Sequence, residues 1–118
     1  MGVITVSNSS PLIFLAELGC FNFLKTLFQK ISIPSEVYVD ISVKGKGRPG
    51  DKELNSAIKE SWLEVIEIKE KEAIEKSMRE WKIHRGEAEA IFLAQKLADA
   101  RLLMDDDMAV IRARSLKI

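Results

Sequence analysis

Val3-Ile4-Thr5-Val6-Ser7-Asn8-Ser9-Ser10-Pro11 opens as an apolar, β-branched run and closes on a polar cluster and a proline. Such a run, too short for a helix and bounded by turn residues, reads as a buried strand. Ser9 or Ser10 is expected to cap a helix over Pro11–Leu18, with Pro11 in its first turn and Gly19 as its stop. The same grammar recurs downstream. A helix over Phe21–Phe28 leads to a strand at Lys30–Ile33, which Pro34 halts, and a helix then runs from Pro34 to about Val43. After the glycine-rich loop Lys44–Gly50 come a helix (Asp51–Trp62), a strand (Leu63–Ile68) and a charged helix (Glu70–Trp81). Gly86 opens a helix to about Ala98, Leu102–Met104 is a strand, and Met108–Leu116 is a last helix.

Strands alternating with helices give an α/β fold, a central parallel sheet covered on both faces. The chain of 118 residues is expected to form a single domain, 1–118, and its 47% hydrophobic and 31% charged content is that of a globular protein. One cysteine, Cys20, excludes an internal disulfide framework and a cysteine-rich zinc site. It is expected to pack as a small hydrophobe, as Trp62 and Trp81 are expected to pack in the core or at its rim. No apolar stretch is long enough to span a bilayer, and the N-terminus lacks the pattern of a signal peptide, so a cytoplasmic, membrane-free setting is expected. Eighteen basic residues balance eighteen acidic ones, which excludes a surface that is basic all over. A lone histidine, His84, excludes paired-histidine metal sites and is expected on a loop or the surface.

Ligands of open parallel sheets sit beyond the carboxyl ends of the strands. Asn8-Ser9-Ser10 follows the first strand, and Asp105-Asp106-Asp107 follows the strand Leu102–Met104. Glu36 and Asp40 share a helical face at i and i+4. Glu87 falls on a line with Ile91, Ala94 and Ala98, so it either needs a partner near the core or simply complements a helix N-terminus. Glu89 is expected in solvent. The three aspartates read either as a turn with a helix cap or as mutually repelling charges that a divalent cation would relieve. Lys44, Lys46 and Arg48 read as a solvated loop or as a flexible arm that grips phosphates.

Taken together, these blocks resemble the PIN-domain family over essentially the whole chain. Val6–Ile13 is similar to the family's opening strand-to-helix motif, Ile33–Asp40 to its second block with the acid on Asp40, Gly86–Ile91 to its third with the acid on Glu87, and Leu102–Asp106 to its fourth, with Asp106 as the acid and Asp105 beside it. The resemblance implies a three-layer α/β/α fold and a metal-dependent endoribonuclease that hydrolyses RNA phosphodiester bonds, as in the toxins of toxin–antitoxin pairs. It implies Mg²⁺ or Mn²⁺ held by Asp40, Glu87, Asp106, Asp105 and Asn8, with Ser9 or Ser10 orienting a ligand or water. An antitoxin partner and a homodimer are implied as well, and because Phe14, Phe21, Phe23 and Phe28 exceed what one face of a small sheet needs, part of the first three helices is expected at the dimer interface.

Two departures stand out. The family's first aspartate is here Asn8, and members usually continue into one more strand where this chain ends at Lys117-Ile118. The sheet is therefore expected to lack that strand. The alternative to a nuclease is a catalytically impaired relative that acts by binding an antitoxin or RNA. A phosphorylation-receiver or phosphatase-like domain is a third reading, weakened because the first strand ends in asparagine and Leu63–Ile68 is followed by Lys69.

Overall fold

The structure, a computed structural model, describes residues 4–97 and 100–104. Strands β1 (Ile4–Ser7), β2 (Ile31–Pro34), β3 (Leu63–Ile66) and β4 (Ala100–Leu103) form one parallel sheet in the order β3-β2-β1-β4. Helices α1 (Ser9–Glu17) and α2 (Phe23–Phe28) join β1 to β2. Helix α3 (Ser35–Tyr38), a π-helical turn (Val39–Val43) and α4 (Asp51–Lys59) join β2 to β3. Helices α5 (Lys71–Trp81) and α6 (Arg85–Lys96) carry the chain from β3 back across to β4.

Alternation along the strands explains the layering. Ile31, Ile33 and Leu63 face one side and pack with Leu12, Leu24, Val37, Ile41, Leu54 and Trp62, from the helical elements before β3 and the chain just ahead of it. Val6, Ile66 and Leu102 face the other, against Ile74, Ala90, Ile91 and Ala94 of α5 and α6. A crossover that keeps its hand but reverses direction across a sheet must pass over the opposite face. The chain steps from β1 to β3 one way and from β3 to β4 the other, so the two helical layers fall on opposite faces. The reversal makes the β1/β4 junction the topological switch point.

The expected three-layer α/β/α architecture is therefore the one observed. Several boundaries move. The first helix begins at Ser9, and its cap position is Asn8, whose side chain makes no capping bond. Asn8 stays extended because its N–H continues the ladder by donating to the Leu103 carbonyl at 3.2 Å. The helix expected from Pro34 to Val43 breaks into an α-turn and a π-turn, closed by Lys44 N–H on the Val39 carbonyl at 2.8 Å. The expected last helix, Met108–Leu116, lies outside the described residues. Trp62 is buried and meets Phe21 at a ring separation of 5.8 Å. Cys20 is half-buried with a free thiol. No helix among the described residues is long and apolar enough to cross a membrane.

Ile33 is fully buried at the centre of the first layer. Ile33→Ala is expected to lower the unfolding free energy by about 2–5 kcal/mol, and Ser56→Ala, at an exposed position of α4, to change it by less than about 0.5 kcal/mol. Urea titrations followed by circular dichroism check both values.

Candidate metal and nucleic-acid site

At the carboxyl ends of β1 and β2 a cleft of about 640 Å³ opens, lined by Asn8, Ser9, Ser10, Glu36, Asp40, Lys44, His84, Arg85, Gly86 and Glu87. Three structural segments supply it: the β1–α1 junction, the α3–π unit and the first turn of α6. The structure thus brings Asn8, Ser10, Asp40 and Glu87 to one cleft. Asp105 and Asp106 lie outside the described residues. They directly follow Met104, and β4 runs beside β1 with Leu103 paired to Ser7, one residue before Asn8.

Asn8 forms the floor. It is 2% exposed, and its side-chain oxygen is buried with no hydrogen-bond partner among the described residues. A buried acceptor left unpaired costs about 1–3 kcal/mol. The oxygen can accept a hydrogen bond or ligate a cation. An aspartate in the same place would bury a full charge, at higher cost.

Asp40 sits in the π-turn, a wider turn than an α-helix would make. Its Oδ2 accepts the Ser9 hydroxyl at 3.1 Å, so Ser9 rather than Ser10 ties the two segments together. A Cβ on Gly86 would stand 3.1 Å from that same oxygen. The absence of a side chain at Gly86 is what lets the first turn of α6 close on Asp40. Lys44 Nζ lies 3.8 Å from Asp40 and 3.9 Å from Glu36, an exposed ammonium held loosely between two carboxylates. Such pairs contribute little to stability, but they make Lys44 the nearest competitor of any bound cation. Glu87 is half-buried at the opening of α6, with Ile91 and Ala94 on its line buried as expected.

Glu89, expected in solvent, is instead buried. One carboxylate oxygen accepts the Glu36 backbone N–H at 3.3 Å, in the first turn of α3, and the other lies 4.0 Å from Arg85, which also approaches Glu75 of α5 at 3.6 Å. Glu89 thereby docks the element carrying Glu36 and Asp40 onto the helix carrying Glu87. The helical line drawn through Glu87 misses it because α6 is enclosed on several sides: by the sheet, by α5 and, at its first turns, by α3. Burial pushes the Glu89 carboxyl above the usual range, and the Glu36 N–H and Arg85 only partly offset this. His84 is exposed on the rim, as expected.

Among the described residues, no three His, Cys, Asp or Glu side chains are gathered closely enough to hold a metal ion by themselves. Apart from the exposed imidazole of His84 on the rim, the donors that line the cleft are oxygens: the Asn8 amide oxygen, unpaired among the described residues, and the carboxylates of Glu36, Asp40 and Glu87. That predominantly oxygen chemistry fits a hard divalent cation such as Mg²⁺ or Mn²⁺.

A PIN-domain family model matches residues 4–118. No curated protein and no solved structure matches the chain.

A carboxyl whose folded pKa is raised binds its proton more tightly in the native state, so its contribution is present below the unfolded value, about 4.5 for Glu, and is lost as pH rises through the folded one. The stability of the wild-type protein minus that of Glu89→Gln is therefore expected to fall as pH climbs from below 4.5 toward neutrality. Urea unfolding of both forms across that range measures the difference, and a flat difference would contradict a buried, raised carboxyl.

Proposed function

Because the chain belongs to the PIN-domain family, whose fold is of nuclease type, we propose that it is a metal-dependent endoribonuclease, the toxin component of a toxin–antitoxin pair. The observation that carries this reading is the buried oxygen of Asn8, without a partner among the described residues, at the floor of a cleft lined by Asp40, Glu36 and Glu87. Asp40, Glu87 and Asn8, joined by Asp106 and Asp105 from the segment after β4, are the residues that would hold Mg²⁺ or Mn²⁺. Bound there, such an ion supplies Lewis-acid stabilisation of charge on a phosphodiester and a hydroxide at neutral pH.

The chain's own side chains supply the rest. Ser9 donates to Asp40 and keeps that carboxylate turned toward the cleft. Glu89, through the Glu36 N–H, fixes the spacing between the two acidic elements. Arg85 and Lys44 on the rim offer cations to the phosphate of an RNA strand. Ser10 lines the same wall and can orient water.

Asn8 also favours a second reading, a catalytically impaired PIN protein that binds an antitoxin or RNA. A neutral amide retains only a dipole where a carboxylate would bring a charge, and ligand charge governs affinity for hard cations. The two readings separate on one series. Wild-type protein is expected to bind Mn²⁺ weakly in calorimetry and to cleave RNA feebly. Asn8→Asp is expected to tighten Mn²⁺ binding by about an order of magnitude and to raise cleavage, with Asp106→Asn as the inactive control. No Mn²⁺-dependent cleavage by the wild-type protein, with cleavage restored in Asn8→Asp, would favour the impaired reading. Equal Mn²⁺ affinity in both forms would remove Asn8 from the site.

Phe14 and Leu18 on and just beyond α1, with Phe23 and Leu27 on α2, are each more than half exposed. We assign these two i, i+4 pairs of exposed apolar side chains to a homodimer contact. Sedimentation at tens of micromolar is expected to give a dimer, and Leu18→Glu combined with Leu27→Glu a folded monomer. A monomeric wild-type protein would contradict the assignment.

A further inference from the structure

The segment Lys44–Gly50 carries three cations and three glycines beside the cleft, and its sequence suggests either a solvated loop or a flexible arm. It is neither free nor arm-like. A Cβ on Gly45 would stand 2.7 Å from the Ile41 carbonyl oxygen and 3.0 Å from that of Asp40, so the loop backbone is pressed directly onto the turn that bears Asp40. At its far end Gly50 packs on Ile41 and on Ile13 of α1. Between these anchors, Asp51 Oδ2 accepts the Gly47 N–H at 2.9 Å, Arg48 N–H reaches the Gly45 carbonyl at 2.9 Å, and Glu53 accepts the Gly50 N–H at 3.1 Å. Asn55 braces Asp51 from α4 and donates to Ser42 in the π-turn. The Gly47 N–H holds the Asp51 carboxyl below its ordinary range, as a carboxylate engaged by backbone donors should be.

The consequence is a fixed ledge whose charges point outward. Lys46 and Arg48 are exposed, and neither makes an ion pair among the described residues, although Asp51 lies near enough to Lys46 for attraction. Lys44, by contrast, is engaged with Glu36 and Asp40. The cleft itself offers the carboxylates Glu36, Asp40 and Glu87 against the cations Lys44 and Arg85, a balance that repels a polyanion. A phosphodiester strand can enter such a cleft only if cations beside it hold the flanking phosphates. On α5, in the opposite layer, Lys76 is already paired with Glu80.

Resting on the nuclease reading above, we propose that the 44–50 ledge is the docking site for the backbone of the RNA strand, with Lys46 and Arg48 each taking a phosphate next to the one at Asp40. Contacts of this kind are sequence-independent and release counterions, so each adds about 0.7 to the salt slope of single-strand affinity.

The test is anisotropy of a fluorescein-labelled single-stranded oligoribonucleotide with the full chain, in EDTA, from 50 to 300 mM KCl. The double variant Lys46→Gln, Arg48→Gln is expected to weaken binding severalfold and to lower the slope of log affinity on log salt by about 1.4, two contacts at about 0.7 each. The swapped pair Lys46→Arg, Arg48→Lys is expected to keep the slope, and Lys76→Gln with Arg79→Gln to leave it unchanged. A double variant with the wild-type slope overturns the proposal, as does an equal loss in the α5 control. Tighter binding of polyglutamate than of RNA, lost in the same double variant, overturns it in favour of an acidic protein partner. Because no divalent ion is present, the slope is independent of cleavage. RNA held by the ledge but never cleaved with Mn²⁺ would sink the nuclease reading and leave the ledge standing.

Discussion

The carboxyl end of β1 is walled in: β2 on one side, β4 on the other, a helical layer on each face. Whatever residue stands there cannot reach bulk water, and the backbone at Asn8 is committed to the Leu103 carbonyl. This burial sets the terms for the rest of the cleft. A polar side chain at that point must find a partner from the ends of neighbouring elements. Ser9, Asp40 and the first turn of α6 are brought close enough that even a methyl at Gly86 would crowd them. The reversal of strand order at β1 is what opens the cleft at this point, since the helices leave on opposite faces there.

Charge is then arranged around a neutral floor. Asn8 keeps an oxygen but no charge, Asp40 and Glu36 share the Lys44 ammonium, and Glu89 spends its two oxygens on a backbone amide and on Arg85. Glu89 therefore serves the geometry of the acidic elements, and Glu87 is left at the cleft edge. A divalent cation entering this cleft competes with Lys44, not with Arg85, whose near carboxylates are Glu75 and Glu89.

Much of this was legible in the residues. Apolar β-branched runs punctuated by Pro34, Gly19 and the 44–50 glycines are local signals, and they placed all four described strands and the helices between them to within a few residues. Asn8 is singled out by the rule that parallel sheets bind at strand ends, and Asp40 and Glu87 are joined to it by the resemblance to the PIN-domain family. What could not be read depended on contacts distant in sequence. The π-turn exists because Lys44 bonds Val39 five residues back, a choice that packing over Ile41 and Gly45 decides. Glu89 was misplaced because one helical wheel presumes one buried face. The loop's rigidity hangs on Asp51, an acid that composition alone counts as solvated. The cap at Asn8, expected one or two residues later, moved because a sheet hydrogen bond held that residue extended.

The central claim is that an oxygen site for a hard cation forms where β1, the π-turn and α6 meet. Paramagnetic Mn²⁺, added substoichiometrically to ¹⁵N-labelled protein, reports on it directly through the backbone amides that broaden first. Selective loss of the Asn8, Ser9, Asp40, Gly86 and Glu87 signals is expected, while α5 and the α4–β3 connection stay sharp. Broadening that begins at Glu67, Glu75 or Glu64, with the Asn8 and Gly86 amides unaffected, would contradict it.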